Sequence, residues 1–427
     1  MFKKIFLLIS IIFTHTLFCD NSINSQNFLN KQKIGTKDTS FKLGLESITD
    51  TTIKNIGPVA LITNQTGVDQ TGKRNIEILL DKNIKIKKIF TPEHGLTGKV
   101  SAGEHVSDDI DEKTKIPAFS LYATNKTKSL SLANLSDIDT IIFDMQDAGM
   151  RHYTYITTLF ESIEAASQFD KKIIILDRPN LLGSLMEGPL VKKEFKSTVS
   201  FAPIALRHGM TFGELALYYN KYIIEKPANL KIIKMKNYDR DKIAISYKLL
   251  TNLSPNITNL QACHGYSFLG LLGELSPINI GVGTDNAFQV ILLSDIIKFS
   301  IKKWQKIQKI LSSYNVQSDI YRLFDDRKNN YHIGLKIKIP NISNTKSFKL
   351  LIDILKFFHD NNKNNNLKLS FSGLFNKAIG SDKLKSYLEN KINFNILKNS
   401  TNKELLNFYN KSLSCALYKP FAKPEYL

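Results

Sequence analysis

Short apolar runs alternate with amphipathic stretches along the chain from residue 41 onward. Buried-strand candidates lie at 59–62, 84–90, 140–143 and 172–176, and helix candidates lie near 75–82, 128–135 and 153–168. Short continuous apolar runs suit strands that are buried on both faces, and the segments between them have the length of helices. Because strand–helix alternation favours right-handed βαβ units, the sequence predicts an α/β fold with a mainly parallel sheet.

The second half of the chain follows a different pattern. Its strand candidates lie at 230–235, 287–293 and 331–339, and its amphipathic helices lie near 295–311, 345–360, 381–391 and 402–413. This change of pattern places a domain boundary near 245–252, and for the second half we predict a smaller α+β domain. We therefore predict one domain over 41–250 and a second over 251–427.

Each of the four strand candidates in the first half ends in a cluster of polar residues. The clusters contain Asn64 after the first strand, Glu93 and His94 after the second, Asp144, Asp147 and Arg151 after the third, and Asp177, Arg178 and Asn180 after the fourth. Ligands of open parallel sheets bind beyond the carboxyl ends of the strands. The four polar loops therefore predict a binding or catalytic site at that edge.

Composition and charge narrow the class of protein. The 427 residues are 42% hydrophobic and 23% charged, with a net charge of +19. These values are ordinary for a globular chain that is large enough to bury a full core. The lysines are spread along the chain and no nucleic-acid motif accompanies them, so we predict no nucleic-acid partner.

The beginning of the chain has the pattern of an export signal. Lys3 and Lys4 precede an apolar run over 5–13, which is too short to span a membrane as a helix. We predict a signal peptide over 1–19 and a linker over 20–40; a buried helix or strand is the alternative. Cys19 follows residues that loosely match the lipobox, the short motif that precedes lipid-modified cysteines. A lipid on Cys19 could therefore anchor the protein to a membrane.

The remaining polar residues favour sugar chemistry. The chain contains no Gly-x-Ser-x-Gly elbow, no phosphate-binding Walker loop and no His-Glu-x-x-His helix, and we predict neither a metal nor a cofactor. Glycosidic cleavage commonly uses one carboxyl group to protonate the leaving oxygen and a second group on the other side of the sugar. Glu93 is the best candidate for the acid, with His94 as its orienting neighbour. Asp144 is either the second catalytic group or a cap of the following loop, and the choice between retention and inversion stays open.

Two further patterns concern local structure. Thr211 and Glu214 have the spacing of a capping box at the start of a helix, so Glu214 is predicted to be structural. Tyr153 and Tyr155 alternate with Arg151, and they either stack on a sugar ring or pack in the first helical turn.

The chain resembles the DUF1343, or YbbC-like, family, whose characterised members are exo-β-N-acetylmuramidases (NamZ). Two of the matching motifs are Pro92-Glu93-His94-Gly95 and Leu176-Asp177-Arg178-Pro179-Asn180. The others lie at 44–46, 63–67, 120–122, 143–155, 187–189, 207–211, 213–216 and 254–256. The resemblance covers residues 41–290 well and the C-terminal part loosely.

This resemblance implies a Rossmann-like N-terminal domain, a smaller C-terminal domain and a cleft between them. It implies that the protein releases N-acetylmuramic acid from the non-reducing ends of peptidoglycan fragments, with Glu93 as the catalytic acid/base. The residues expected to line the cleft are Asn64, Asp147, Arg151, Tyr155, Asp177, Arg178, Asn180, His208 and Asn256. Arg151, Arg178 or His208 is expected to meet the lactyl carboxylate of the sugar.

The chain also departs from the family pattern. Ile280 and Val282 stand where members usually have a glutamate and an arginine, two groups that could contact an acidic sugar. The alternative to the enzyme is therefore a non-catalytic envelope lipoprotein that binds muropeptides or related glycans. Both hypotheses place the protein in the periplasm or on a membrane of the cell envelope, and neither predicts an oligomeric state.

Overall fold

A seven-stranded sheet forms the centre of the first half of the protein. This computed structural model describes residues 41–122, 130–325, 329–362, 367–424 and 427. The strands of the sheet are β1 Val59–Thr63, β2 Ile86–Thr91, β3 Asp109–Ile110, β4 Pro117–Ser120, β5 Thr140–Asp144, β6 Lys172–Leu176 and β7 Asn229–Ile233. The spatial order is β3-β4-β2-β1-β5-β6-β7, and every neighbouring pair except β3–β4 is parallel. The four strands predicted in this half are confirmed as β1, β2, β5 and β6. The predicted signal segment, Cys19 and the linker lie outside the described residues.

The strand order is that of a Rossmann-like fold. If the six parallel strands are numbered along the chain, they lie in the order 3-2-1-4-5-6. In such a sheet the order reverses between the first and fourth strands, and ligands bind in the crevice there. In this protein the reversal falls between β1 and β5, whose register pairs Thr63 with Asp144.

Helices cover both faces of the sheet because its strands are apolar on both faces. The helices of this half are α1 Asp50–Ile53, α2 Asn75–Asp81, α3 Leu132–Leu135, α4 Tyr155–Gln168, α5 Phe212–Tyr222 and α6 Arg240–Ser246. Leu61 packs on one face in the cluster that contains Leu79 of α2, and its neighbour Ile62 packs on the other face with Leu159 of α4. Burial of each such side chain contributes roughly 1.5–3 kcal/mol to stability.

The second half is built around a three-stranded antiparallel sheet in the order β10-β11-β9. Its elements are α7 Leu260–Leu272, β8 Leu275–Ser276, β9 Val290–Ser294, α8 Ile301–Ser313, β10 Gln317–Asp325, β11 Asn330–Lys338, α9 Ser347–Asp360, β12 Ser370–Phe371, α10 Phe375–Ile379, α11 Lys383–Leu388 and α12 Phe394–Ser412. The α/β sheet with a smaller antiparallel region confirms the predicted fold class. Residues 41–427 form one compact unit, and the boundary near 250 stays a prediction.

The sequence pattern missed five elements of this half, namely the short elements β8, β12 and α10 and the longer elements α7 and β10. The helix α7 is apolar on most of its circumference and nearly all of it is buried, so it shows no amphipathic period. The strand β10 lies at the edge of its sheet and carries many polar residues, so it lacks an apolar run. Among the helices of the described residues, none has the length and apolar character that crossing a membrane requires.

Candidate active site

Glu93 lies at the carboxyl edge of the sheet, directly beyond β2. Pro92 follows the last residue of the strand, Thr91, and the two residues after Glu93, His94 and Gly95, both turn the chain with a φ of 74°. The residue as a whole is 8% exposed. Its Oε1 accepts a hydrogen bond from Gly103 N at 3.0 Å, and its Oε2 accepts one from Thr154 Oγ1 at 2.7 Å. Glu93 is therefore held by two donors in a fixed orientation and still reaches the surface.

His94 does not orient this carboxylate, which corrects the sequence prediction. Its Nδ1 lies 2.7 Å from the carbonyl oxygen of Val100, and this contact holds the ring against its own loop. Gly103 and Thr154 donate hydrogen bonds to Glu93 and orient it, and the hydroxyl of Tyr122 is a further hydrogen-bonding neighbour.

A cluster of aromatic residues lies beside Glu93. The rings of Tyr153 and Tyr155 are 4.5 Å apart, and those of Tyr153 and Tyr266 are 6.2 Å apart. The hydroxyls of Tyr153 and Tyr155 both donate to the carbonyl of Leu253, at 2.7 and 3.2 Å. Tyr155 is fully buried, so it packs at the start of α4 and does not present a face to a sugar, contrary to its predicted role.

Asp144, predicted as a candidate catalytic group, forms a buried ion pair. Its Oδ1 accepts from Arg178 Nε at 2.6 Å, and its Oδ2 accepts from Arg178 Nη2 at 3.0 Å and from Asn75 Nδ2 at 2.8 Å. Arg178 also donates to the carbonyl of Val68 at 2.9 Å. Both partners are almost completely buried, and their polar atoms are occupied by protein groups. This arrangement joins the ends of β5 and β6 and leaves neither side chain free for a substrate.

Arg151 is also turned into the protein. Its guanidinium donates to the carbonyls of Pro189, Ile204, Ala378 and Ile379 at 2.7 to 2.9 Å. Burial lowers the pKa of Arg151 to about 9. Arg151 therefore binds backbone carbonyls where a lactyl carboxylate was expected.

Asp177 and Asn180 also form hydrogen bonds within the protein. The carboxylate of Asp177 accepts hydrogen bonds from Gly213 N, Thr211 Oγ1 and Tyr418 Oη. Asn180 donates to the carbonyl of Met210 and accepts from Leu182 N. Both side chains have no exposed surface. Their predicted contact with a substrate does not occur in this arrangement.

Asp147, His208 and Asn64 are buried at the same edge, and each has at least one polar atom without a hydrogen bond. His208 Nε2 lies 3.1 Å from Asp147 Oδ2, but no well-aligned hydrogen bond forms. Both oxygens of Asp147 and Nδ2 of Asn64 lack a hydrogen-bond partner within the described part of the chain. Asn64 Oδ1, in contrast, accepts from the backbone and hydroxyl of Thr66. Buried polar groups are normally satisfied by hydrogen bonds, so these atoms are exceptions at the carboxyl edge of the sheet.

Asn256 contacts the segment in which the chain departs from the family pattern. Its Oδ1 accepts a hydrogen bond from Gly283 N at 2.9 Å. Ile280 is buried and lies against the place where a Cβ of Gly273 would be, whereas Val282 is 46% exposed. Ile280, which replaces the glutamate of the family pattern, therefore adds to the core. Val282, which replaces the arginine, puts an apolar side chain on the surface beside Asn256.

Several residues of the site were not found from the sequence. Three of them, Thr154, Tyr122 and Tyr266, lie near Glu93. The pKa of Tyr122 is raised by burial and then by the charge of Glu93. Burial raises the pKa of Tyr266 well above its usual value, and Glu93 and Asp147 are among the charges that contribute. Thr154 and Tyr122 lie in the matching segments, but Tyr266 belongs to α7, which shows no helical pattern. Across the described ranges, no three His, Cys, Asp or Glu side chains come together as a metal site.

Comparisons with known proteins agree with this architecture. The family described as "Exo-beta-N-acetylmuramidase NamZ" matches through its N-terminal part at residues 59–261 and through its C-terminal part at residues 264–418. The peptidoglycan beta-N-acetylmuramidase NamZ of Bacillus subtilis (strain 168) is 33% identical over 360 residues, which cover 82% of this chain and 84% of that protein.

Two solved structures show the same fold. Both are DUF1343 family proteins from Bacteroides fragilis, with TM-scores of 0.78 and 0.65 and identities of 29% and 27%. Each comparison covers 89% of this chain and 99% of the other. The fold, the carboxylate site and these likenesses define a glycosidase. The chain belongs to the exo-β-N-acetylmuramidase NamZ family, also called DUF1343, and the match of its C-terminal part is more extensive than the sequence motifs indicated.

Proposed function

We propose that this protein is an exported, exo-acting glycoside hydrolase that releases N-acetylmuramic acid from the non-reducing ends of peptidoglycan fragments. The observation that carries the proposal is the position of Glu93, held by Gly103 N and Thr154 Oγ1 at the carboxyl edge of the sheet. The name of the Bacillus subtilis relative, a peptidoglycan beta-N-acetylmuramidase, supports the choice of substrate.

In this mechanism Glu93 gives its proton to the glycosidic oxygen as the bond to the anomeric carbon breaks, the oxygen of a water bonds to that carbon, and a proton from the water, through solvent, restores Glu93. The donors Gly103 N and Thr154 Oγ1 then stabilise the carboxylate that is left. Because Glu93 is 8% exposed, few waters compete for the proton in the bound complex. Protonation of the leaving group by a positioned acid typically accelerates such a reaction by about 10²–10⁴-fold.

The first test is a hydrolysis assay on the chain from residue 20 onward. The substrates are 4-nitrophenyl β-N-acetylmuramide and the corresponding β-N-acetylglucosaminide. We expect the wild type to cleave the muramide and Glu93→Gln to lose about 10²–10⁴-fold in kcat, because the amide has no proton to give. Glu104→Gln is the matched control, since Glu104 is an exposed glutamate of the same loop, and it should keep wild-type activity.

Each other outcome of this assay has a definite meaning. Full activity of Glu93→Gln would remove the acid from the mechanism. Cleavage of the glucosaminide alone would show that the specificity differs from that of the named relative. Saturable binding of muropeptides without cleavage of either substrate would support a non-catalytic envelope protein.

Export is proposed from the basic and apolar segment before Cys19. Mass spectrometry of the protein from fractionated cells should show a chain that begins after the apolar run, in the envelope fraction. A lipid on Cys19 would add its mass to the first residue and would be lost in Cys19→Ser. An uncleaved chain in the cytoplasm would contradict the proposal.

A further inference from the structure

The antiparallel sheet of the second half has one end at which three elements meet. Because β9 and β11 are antiparallel, β9 ends where β11 begins, and β10 ends there as well. The loop over 295–300 leads from this end to α8, and Asp295 N donates a hydrogen bond to the carbonyl of Tyr331 at 2.9 Å. We call this end of the sheet, together with the loop and the first turn of α8, the tip.

Large apolar side chains are exposed at the tip. Ile296 in the loop is 77% exposed, and Ile301 at the start of α8 is 51% exposed. Phe324 of β10 and Tyr331 of β11 are exposed as well, and the centres of their rings are 4.9 Å apart. Single exposed apolar residues are common on soluble proteins, but a group of them in one place marks an interaction surface.

Lysines dominate the charge of the loop and of α8. Residues 296–318 contain no acidic residue and five lysines, which are Lys298, Lys302, Lys303, Lys306 and Lys309. Asp295 and Asp319, on either side of this stretch, are the nearest acids along the chain. Within the described part of the chain, none of the five lysines forms an ion pair. Their charge is therefore available to an anionic partner.

The lysines of α8 lie on the outer face of the helix. The buried residues of this helix are Trp304, Ile307 and Leu311. Lys302, Lys306 and Lys309 share the opposite face, because their spacing follows the period of an α-helix. Along the axis, Lys306 and Lys309 lie about 6 and 10 Å beyond Lys302. All three are thus within about one Debye length of a charged surface that touches the tip.

We propose that the tip is a docking surface for a lipid bilayer that contains anionic lipids. Ile296 and Ile301 enter the boundary between the head groups and the acyl chains. Phe324 and Tyr331 lie at the level of the head groups, where aromatic rings are favoured. The lysines of the loop and of α8 attract the anionic head groups. This inference goes beyond the proposed function and does not depend on it.

The combination of exposed isoleucines and lysines favours a bilayer over other partners. A soluble anionic polymer satisfies the lysines but offers no apolar phase to Ile296. A second copy of this chain would cover the isoleucines but would bring the lysines of two tips together, and such like-charge contacts are unfavourable. A bilayer with anionic lipids supplies both an apolar phase and negative charge.

The first test is co-sedimentation of the chain from residue 20 onward with lipid vesicles. One set of vesicles contains equal parts of phosphatidylglycerol and phosphatidylcholine, and the other contains phosphatidylcholine alone. We expect binding to the anionic vesicles that weakens as salt is added, and binding to phosphatidylcholine that is weaker by about tenfold or more. No binding to the anionic vesicles, or equal binding to both sets, would overturn the proposal.

The second test removes charge from the outer face of α8. The combined variant Lys302→Gln, Lys306→Gln and Lys309→Gln should bind the anionic vesicles more weakly by about tenfold or more, because each lysine close to the surface contributes about fivefold. The matched control removes three exposed lysines of the first half, Lys54→Gln, Lys85→Gln and Lys87→Gln, and should bind as the wild type does. Equal weakening in both variants would show adsorption through the net charge alone and would refute the proposal.

The third test removes the apolar side chains. The double variant Ile296→Ser and Ile301→Ser should bind the anionic vesicles about tenfold more weakly, because two apolar side chains no longer leave water. Its midpoint of thermal unfolding should not change, since both side chains are exposed. Leu132→Ser, at an exposed leucine of α3, is the control and should bind as the wild type does.

Two further outcomes would assign the tip to a different partner. Wild-type binding by the isoleucine variant would show that anionic groups suffice without a bilayer. A dimer of the wild type in sedimentation velocity that dissociates in Ile296→Ser would assign the tip to a second copy. Cleavage of 4-nitrophenyl β-N-acetylmuramide should be unchanged in all these variants, so failure of this inference is distinguishable from failure of the proposed function.

Discussion

Polar residues at the strand ends of this protein fall into two groups that differ in their hydrogen-bond partners. Asp144, Asp177 and Asn180 are occupied by donors and acceptors of the chain itself. Glu93 keeps a small exposed surface, and Asp147 keeps two oxygens without a donor within the described structure. The first group holds the ends of the strands together, and in the second group Glu93 keeps the exposed surface that contact with a substrate requires.

The ionisation of Asp177 should make stability depend on pH. Burial raises the pKa of Asp177 from 3.8 to about 6, against the opposing effect of the Tyr418 hydroxyl. Between these values the folded protein holds a proton that the unfolded chain has released, so the contribution of Asp177 to stability falls as the pH rises from about 4 to 6. A shift of about two units corresponds to roughly 3 kcal/mol.

Urea titrations of the wild type and Asp177→Asn from pH 4 to pH 6.5 measure this effect. The free energy of unfolding of the wild type, minus that of the variant, should fall by roughly 3 kcal/mol across the window. A difference that stays constant with pH would show that Asp177 is ionised throughout.

At the level of elements, the start of α5 combines a local cap with a tertiary ion pair. Thr211 Oγ1 accepts from Glu214 N, and Glu214 Oε2 accepts from Thr211 N, which confirms the predicted capping box. Glu214 also forms a buried bidentate pair with Arg240 of α6 and accepts from Leu417 N. Its structural role is therefore larger than the sequence spacing indicated.

Substitution of Glu214 should cost much more stability than loss of a helix cap. Glu214→Gln leaves the buried guanidinium of Arg240 without a counter-charge, and we expect a loss of about 3–5 kcal/mol in the free energy of unfolding. Thr211→Ser keeps the capping hydroxyl and should cost less than about 1 kcal/mol. Urea unfolding of both variants checks the ranking, and equal effects would contradict the role of the ion pair.

In the whole molecule, buried polar contacts join the two halves of the chain. Arg207 donates to the carbonyls of Ile342 and Thr345, and Glu187 accepts from the backbone N–H groups of Ser347 and Phe348. Arg151 adds contacts to Ala378 and Ile379. Separation of the halves would remove these hydrogen bonds to charged groups, each of which contributes about 1.5–3 kcal/mol, while Arg207 and Glu187 would still pair with each other.

We therefore expect the described part of the chain to unfold as one cooperative unit. Trp304, the single tryptophan of the sequence, is buried in α8 and reports on the second half alone. Its fluorescence and the far-ultraviolet circular dichroism of all helices should give the same midpoint in urea. Two separate midpoints would show that the halves unfold independently.

The periodic elements of the fold were predictable because their patterns are local. The apolar runs of β1, β2, β5 and β6 and the amphipathic helices α8 and α9 correspond to the predicted ranges. The helix α7 was not predictable, because it is buried on nearly all sides and has no polar face. Tyr266, which this helix places beside Glu93 and Asp147, was missed for the same reason.

The sequence by itself determined the class of sheet, the edge at which its polar residues gather, the capping box of α5 and the position of Glu93 at that edge. All of these depend on residues that are neighbours along the chain. Only the tertiary structure decided which polar residues are occupied. The partner of Asp144 is 34 positions away, and that of Arg151 is 227 positions away at Ala378. Hydrogen-bond satisfaction depends on these distant contacts, so two aspartates three residues apart, Asp144 and Asp147, have opposite surroundings.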